Sequence, residues 1–96
     1  MSAFVIATVS IKNPEKFQEY AEKAGPTFAP FGGKPVVKGK FVGTLSGEAT
    51  HSTAAVMQFP SLDEVESWYN SDAYQALIPL RQEACDMGIV KYEMPN

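Results

Sequence analysis

Apolar side chains crowd the start of the chain without a helical period. Ala3-Phe4-Val5-Ile6-Ala7-Thr8-Val9-Ser10-Ile11 is β-branched and aromatic and reads as a strand. Val5, Ala7, Val9 and Ile11 fall on one face, and Phe4 and Ile6 make much of the other face apolar, so both faces are expected to meet protein and the strand to be central. Asn13-Pro14-Glu15 then starts a helix. Asn13 accepts backbone N–H bonds as a cap, Pro14 gives up only a donor that would be unpaired anyway, and Glu15 suits the positive helix end. The stripe Phe17, Tyr20, Ala21, Ala24, Phe28, Phe31 has the period of a helix, which Gly25-Pro26 should kink or divide and Gly32-Gly33 should end.

Residues 35–45 predict a second strand, softened by Gly39 and Gly43, and Ser52 to Phe59 predict a third, joined by the turn residues 46–50. Ser61-Leu62-Asp63-Glu64 is a capping box opening a helix with the stripe Leu62, Val65, Trp68, Tyr69. Asn70-Ser71-Asp72 interrupts it. A further helical segment, capped by Ser71, carries Tyr74, Leu77, Ile78, Arg81, Ala84 and Cys85 inward, with Pro79 a kink or local break and Gly88 its end. Ile89 to Met94 alternates as a last strand. The order β-α-β-β-α-α-β predicts an α+β fold: a ferredoxin-like split βαβ with a four-stranded antiparallel sheet and an extra helical segment, in a single domain over residues 1–96.

Such a fold covers one sheet face with helices. Strand one is apolar on both faces, and strand three places Ala55, Met57 and Phe59 on one side and Ala54 and Val56 on the other. Two apolar faces need two covers, which predicts a homodimer whose sheets meet. With 96 residues a single core is marginal, and a partner subunit would help. A formal charge of −3 gives no electrostatic reason to bind nucleic acid or an anionic membrane. No run approaches a membrane span and no targeting segment is visible. The lone Cys85 and the single His exclude an internal disulfide and a Cys/His zinc set, so the chain reads as cytoplasmic with no metal or cofactor.

Arg81 carries the sharpest chemical signal, because a guanidinium on an apolar stripe needs a partner. It clamps an anion between helix and sheet, or it snorkels outward or pairs with Glu83 or Glu93. Tyr20, Trp68, Tyr69 and Tyr74 present rings with polar tips that can wall a pocket for a small ligand, and they can equally be core. His51 is the one imidazole available as a general base, yet it follows turn residues where a solvated position is the default. Ser61 has no His beside it and is explained by capping. Cys85 reads as a buried, inert thiol, and Asp63, Glu64 and Glu66 as an exposed first turn.

Asn13-Pro14-Glu15 with Tyr20, then FGGKPVVKGK, QFPS and WYNSDAYQALIPLRQEA, together resemble the DUF1330 family of small bacterial proteins over nearly the whole chain. The resemblance implies a dimeric α+β barrel, in a superfamily that also includes antibiotic-biosynthesis monooxygenases, muconolactone isomerases and haem-binding chlorite dismutase-like proteins. It implies no established activity. The chain keeps Gly32-Gly33, Phe59-Pro60-Ser61, Trp68-Tyr69, Ser71, Tyr74 and Arg81, but has Gln58 where many members carry Glu and Thr53 where many carry Arg. A neutral amide cannot replace a carboxylate base. The expected function is a homodimer binding a small anionic or aromatic molecule between sheet and helices, through Arg81, Tyr69, Tyr74, Trp68, Tyr20 and Ser61. The alternatives are a cofactor-independent monooxygenase or isomerase acting on a carbonyl or phenol, with Arg81 and His51 as catalytic candidates, and a purely structural interaction module.

Overall fold

The computed structural model describes residues 1–95. Its elements run β1 (Ala3–Ile11), α1 (Pro14–Ala24), β2 (Lys34–Lys40), β3 (Thr53–Phe59), α2 (Leu62–Tyr69), α3 (Asp72–Gln75), α4 (Ile78–Ala84) and β4 (Cys85–Glu93). The four strands form one antiparallel sheet in the order β2-β3-β1-β4, so β1 is central. The expected α+β, ferredoxin-like fold is the observed one.

Local chemistry sets the helix starts. Asn13 Oδ1 accepts from Lys16 N, Ser61 Oγ from Glu64 N and Ser71 Oγ from Tyr74 N, so each capping residue satisfies a donor that the first turn leaves free. Gly25-Pro26 does divide the first helix: α1 gives way to two short 3₁₀ turns, Gly25–Thr27 and Ala29–Phe31. The chain then leaves through Gly32 in the left-handed region, at φ 74°. A Cβ on Gly32 would lie 2.7 Å from Pro60 Cγ, and one on Gly33 2.7 Å from the Phe59 ring. These two glycines let the turn close against the end of β3.

Three boundaries differ from the sequence expectation. The last helix ends at Ala84 instead of Gly88, because Cys85 already pairs with Ile11 and Met87 with Val9, which places Cys85 and Gly88 in β4. Strand β2 stops at Lys40, short of residue 45: Phe41 N still reaches Ser52 O, but residues 42–50 form an exposed loop. Pro79 sits in the first turn of α4, where its missing N–H costs nothing, and the break falls before it, between α3 and α4.

The core lies on the helix-facing side of the sheet, where Ala3, Val5, Phe59, Tyr20, Val65, Trp68 and Tyr74 are buried. Trp68 is its centre, 1% exposed, with ring centroids 4.5 Å from Tyr74, 4.9 Å from Phe28 and 5.5 Å from Phe59. Its indole N–H donates to Thr27 Oγ1 at 3.0 Å, so the buried ring leaves no orphan donor. The molecule measures 33 × 32 × 16 Å, a two-layer slab with one sheet face bare. By register that face carries Phe4, Ile6, Val56, Val90 and Tyr92, with Phe4 and Tyr92 stacked at 5.1 Å. Val90 is 51% and Tyr92 45% exposed.

Candidate functional site

Two cavities lie between the helices and the covered sheet face. The smaller, about 300 Å³, is lined by Val5 and Ile89 of the sheet, Val65, Trp68 and Tyr69 of α2, and Arg81 of α4, with Glu66, Met87 and Lys91 completing it. The larger, about 480 Å³, lies under α1 and is walled by Phe17, Tyr20, Phe28, Ala55 and Met57 among others. Trp68, Met87 and Ile89 border both.

A line of polar atoms runs between the cavities. Arg81 Nη1 donates to Tyr74 Oη at 2.9 Å and reaches Tyr69 Oη at 3.5 Å, while Tyr74 Oη and Tyr20 Oη are 2.7 Å apart. Tyr20 Oη donates in turn to Met87 Sδ at 3.9 Å. Arg81 also lies beside the Tyr74 ring, 5.9 Å from its centroid. Among the described residues no carboxylate reaches Arg81: Glu83 is held by Lys16 at 2.6 Å, and Glu66 is paired with Lys91. Both acid partners considered for Arg81 from the sequence are thus excluded, since Glu93 lies beyond it on β4, opposite Ala3. Burial works against the charge on Arg81, but its hydrogen bonds to Tyr69 and Tyr74 outweigh it and raise the guanidinium above its ordinary value. Burial, with Tyr74 adding to it, raises Tyr20 well above the usual phenol range, so this hydroxyl keeps its proton.

The structure therefore brings Arg81, Tyr69, Tyr74, Trp68 and Tyr20 together and leaves two candidates outside. Ser61 Oγ is engaged at the α2 cap and lines neither cavity. His51 bonds Thr50 Oγ1 at 2.7 Å and approaches Asp86 at 3.5 Å, in a hollow with Thr8 and Ala54 on the bare side of the sheet. It is not a solvated hairpin residue, its side chain being 19% exposed, yet the sheet separates it from Arg81. Gln58 likewise falls on the bare face, opposite Phe4, and Thr53 borders the larger cavity. Sequence reasoning missed Thr27, Met87 and Lys91, and read Glu66 as part of an exposed first turn where it lines the smaller cavity. The buried partner of an indole N–H was a findable signal for Thr27; Met87 was hidden by the misplaced helix end. Cys85 is buried, and burial pushes its thiol up, which keeps it inert.

Residues 2–93 match the family model described as a domain of unknown function, DUF1330. No curated protein matches the sequence. Among solved structures, the chain is similar to RPA0582, a protein of unknown function from Rhodopseudomonas palustris, at TM-score 0.83 and 19% identity over 99% of this chain and 83% of that one. It is also similar to a dimeric ferredoxin-like protein of unknown function from Thermobifida fusca, at TM-score 0.68 and 15% identity over 98% and 92% of the two chains. A third likeness is to SnoaB, a cofactor-independent oxygenase from Streptomyces nogalater, at TM-score 0.71 and 8% identity over 99% and 94%. At these identities the likenesses establish the fold. Among the described residues, no helix is long and apolar enough to cross a membrane.

Proposed function

The chain belongs to the DUF1330 family, and on that premise we propose that it works as a homodimer in which each protomer binds a small organic anion in the Arg81 cavity. One observation carries this reading: a half-buried guanidinium borders a cavity walled largely by apolar side chains, and among the described residues no carboxylate pairs with it, the cavity's own Glu66 being held by Lys91. Its described partners are two phenols, which orient it without cancelling its charge. A ligand carboxylate would supply the missing countercharge through charge-assisted hydrogen bonds, and Trp68, Tyr69 and Ile89 would enclose an aromatic or aliphatic body. Val65 and Val5 extend the apolar wall.

Dimerisation is supported by the bare apolar sheet face and by the dimeric solved neighbour. A slab this broad can offer the roughly 800 Å² per partner of a standard interface. Because His51 lies on the far side of the sheet, a general-base mechanism built on it is not favoured, and binding is the better-supported function.

The test is calorimetric titration of benzoate into the wild type and Arg81→Ala, with light scattering on both. Wild type should run as a dimer and bind benzoate, and the variant should remain dimeric while losing about ten- to a hundredfold in affinity, the value of one charged hydrogen bond. Equal affinity in the two proteins would remove Arg81 from the site, and a 10.5 kDa species at micromolar concentration would overturn the dimer.

A further inference from the structure

The first hydrogen bond between the cavities has a direction fixed by chemistry. A guanidinium only donates, so Tyr74 Oη must accept from Arg81. Tyr74 then has one proton to place, and among the described residues Tyr20 Oη, 2.7 Å away, is the remaining polar neighbour of its hydroxyl. The arrangement that uses every proton runs from Arg81 to Tyr74 to Tyr20. At its end the Tyr20 proton meets only Met87 Sδ at 3.9 Å, a weak acceptor. A chain of donors headed by a positive charge is polarised along its length, which strengthens the last donor. Tyr20 and Met87 both line the larger cavity, whose lining contains no acidic residue and whose polar side chains otherwise include Thr53 and, on the exposed strand β2, Lys38 and Lys40.

We propose that this larger cavity is a second binding site, taking a molecule with an uncharged apolar body and a carbonyl oxygen that accepts from the Tyr20 hydroxyl. Apolar walls suit the body, and the lysines of the lining, Lys38 and Lys40, belong to the exposed strand β2, where their charge is solvated. Met87 Sδ gives way readily because a carbonyl oxygen is the stronger acceptor. The site adjoins the anion cavity, sharing Trp68, Met87 and Ile89 with it, and its donor is Tyr20 where that of the anion cavity is Arg81.

The experiment is an NMR titration of the full chain with acetophenone and with α-methylstyrene, which has the same shape but a methylene in place of the oxygen. The backbone amides of Ala21 and Ala24 are followed, because both residues line the larger cavity and neither lines the smaller. Acetophenone should bind about three- to tenfold more tightly than α-methylstyrene, the worth of one neutral hydrogen bond, and Tyr20→Phe should abolish that preference while leaving α-methylstyrene unchanged. Equal affinity of the two probes for the wild type, a preference that survives in Tyr20→Phe, or no shift at Ala21 and Ala24 would each overturn the proposal. Should Tyr20→Phe fail to fold, Ala21→Leu, which adds bulk at an exposed position on the cavity rim, should eliminate acetophenone binding; unchanged binding there would also refute it.

Discussion

Replacing Tyr74 by Phe removes one oxygen at the centre of the polar chain and leaves the ring packed against Trp68. Two bonds are lost. The bond from the charged Arg81 at 2.9 Å is worth about 1.5–3 kcal/mol and the neutral one to Tyr20 at 2.7 Å about 0.5–1.5 kcal/mol. Part returns, because Arg81 is only half-buried and can turn to Tyr69 or to water. The expected net loss is about 2–3 kcal/mol, which for a domain of this size lowers Tm by roughly 8–24 °C. Tyr69→Phe deletes the same atom type, but its oxygen is 3.5 Å from Arg81 on a partly exposed residue, and about 0.5 kcal/mol or less is expected. The assay is urea unfolding of both variants at one fixed protomer concentration, since association contributes to apparent stability. If Tyr74→Phe cost less than 0.5 kcal/mol, or no more than Tyr69→Phe, the hydroxyls would not form one connected chain and the ordering of the second cavity's donor would lose its basis.

Gly33→Ala should cost about 1–3 kcal/mol in the same assay, because the new Cβ meets the buried Phe59 ring at 2.7 Å, whereas Gly39→Ala, with nothing within 4 Å, should change stability little. Thr27→Val leaves the Trp68 indole N–H buried without its acceptor and should lose about 1–3 kcal/mol, with a shift in the emission of the single Trp as a second readout. Tyr20 has a folded-state pKa raised above its unfolded value near 10, so its contribution to stability is complete below pH 10 and is lost as pH rises beyond it, while the unfolded chain ionises and the folded one does not. Between pH 9.5 and 11.5 the wild type should therefore lose roughly 2 kcal/mol more stability than Tyr20→Phe, the difference in slope approaching about 1.4 kcal/mol per pH unit only above pH 11, and parallel curves would show that the hydroxyl is not shielded.

The elements legible in the sequence were those governed by neighbours within one turn. Asn13, Ser61 and Ser71 cap helices by reaching backbone donors three residues on, and Gly25-Pro26 and Gly32-Gly33 break the chain through their own backbone limits. The period-two pattern of β1 likewise showed that both its faces are apolar, and hence that it is central. Tertiary structure decided what such rules cannot reach. Cys85 continues a helical stripe, yet pairing with Ile11 across the sheet turns it into a strand and moves Met87 into both cavity walls. Arg81 and His51 were separate catalytic candidates in the sequence, and the sheet places them on opposite faces. The polar chain joins Tyr20 to Tyr74 across 54 residues, and the Trp68 to Thr27 bond spans 41. A residue's local period fixes which face it takes, but its partner across the core depends on strand register and helix docking, and these minimise the energy of the whole chain.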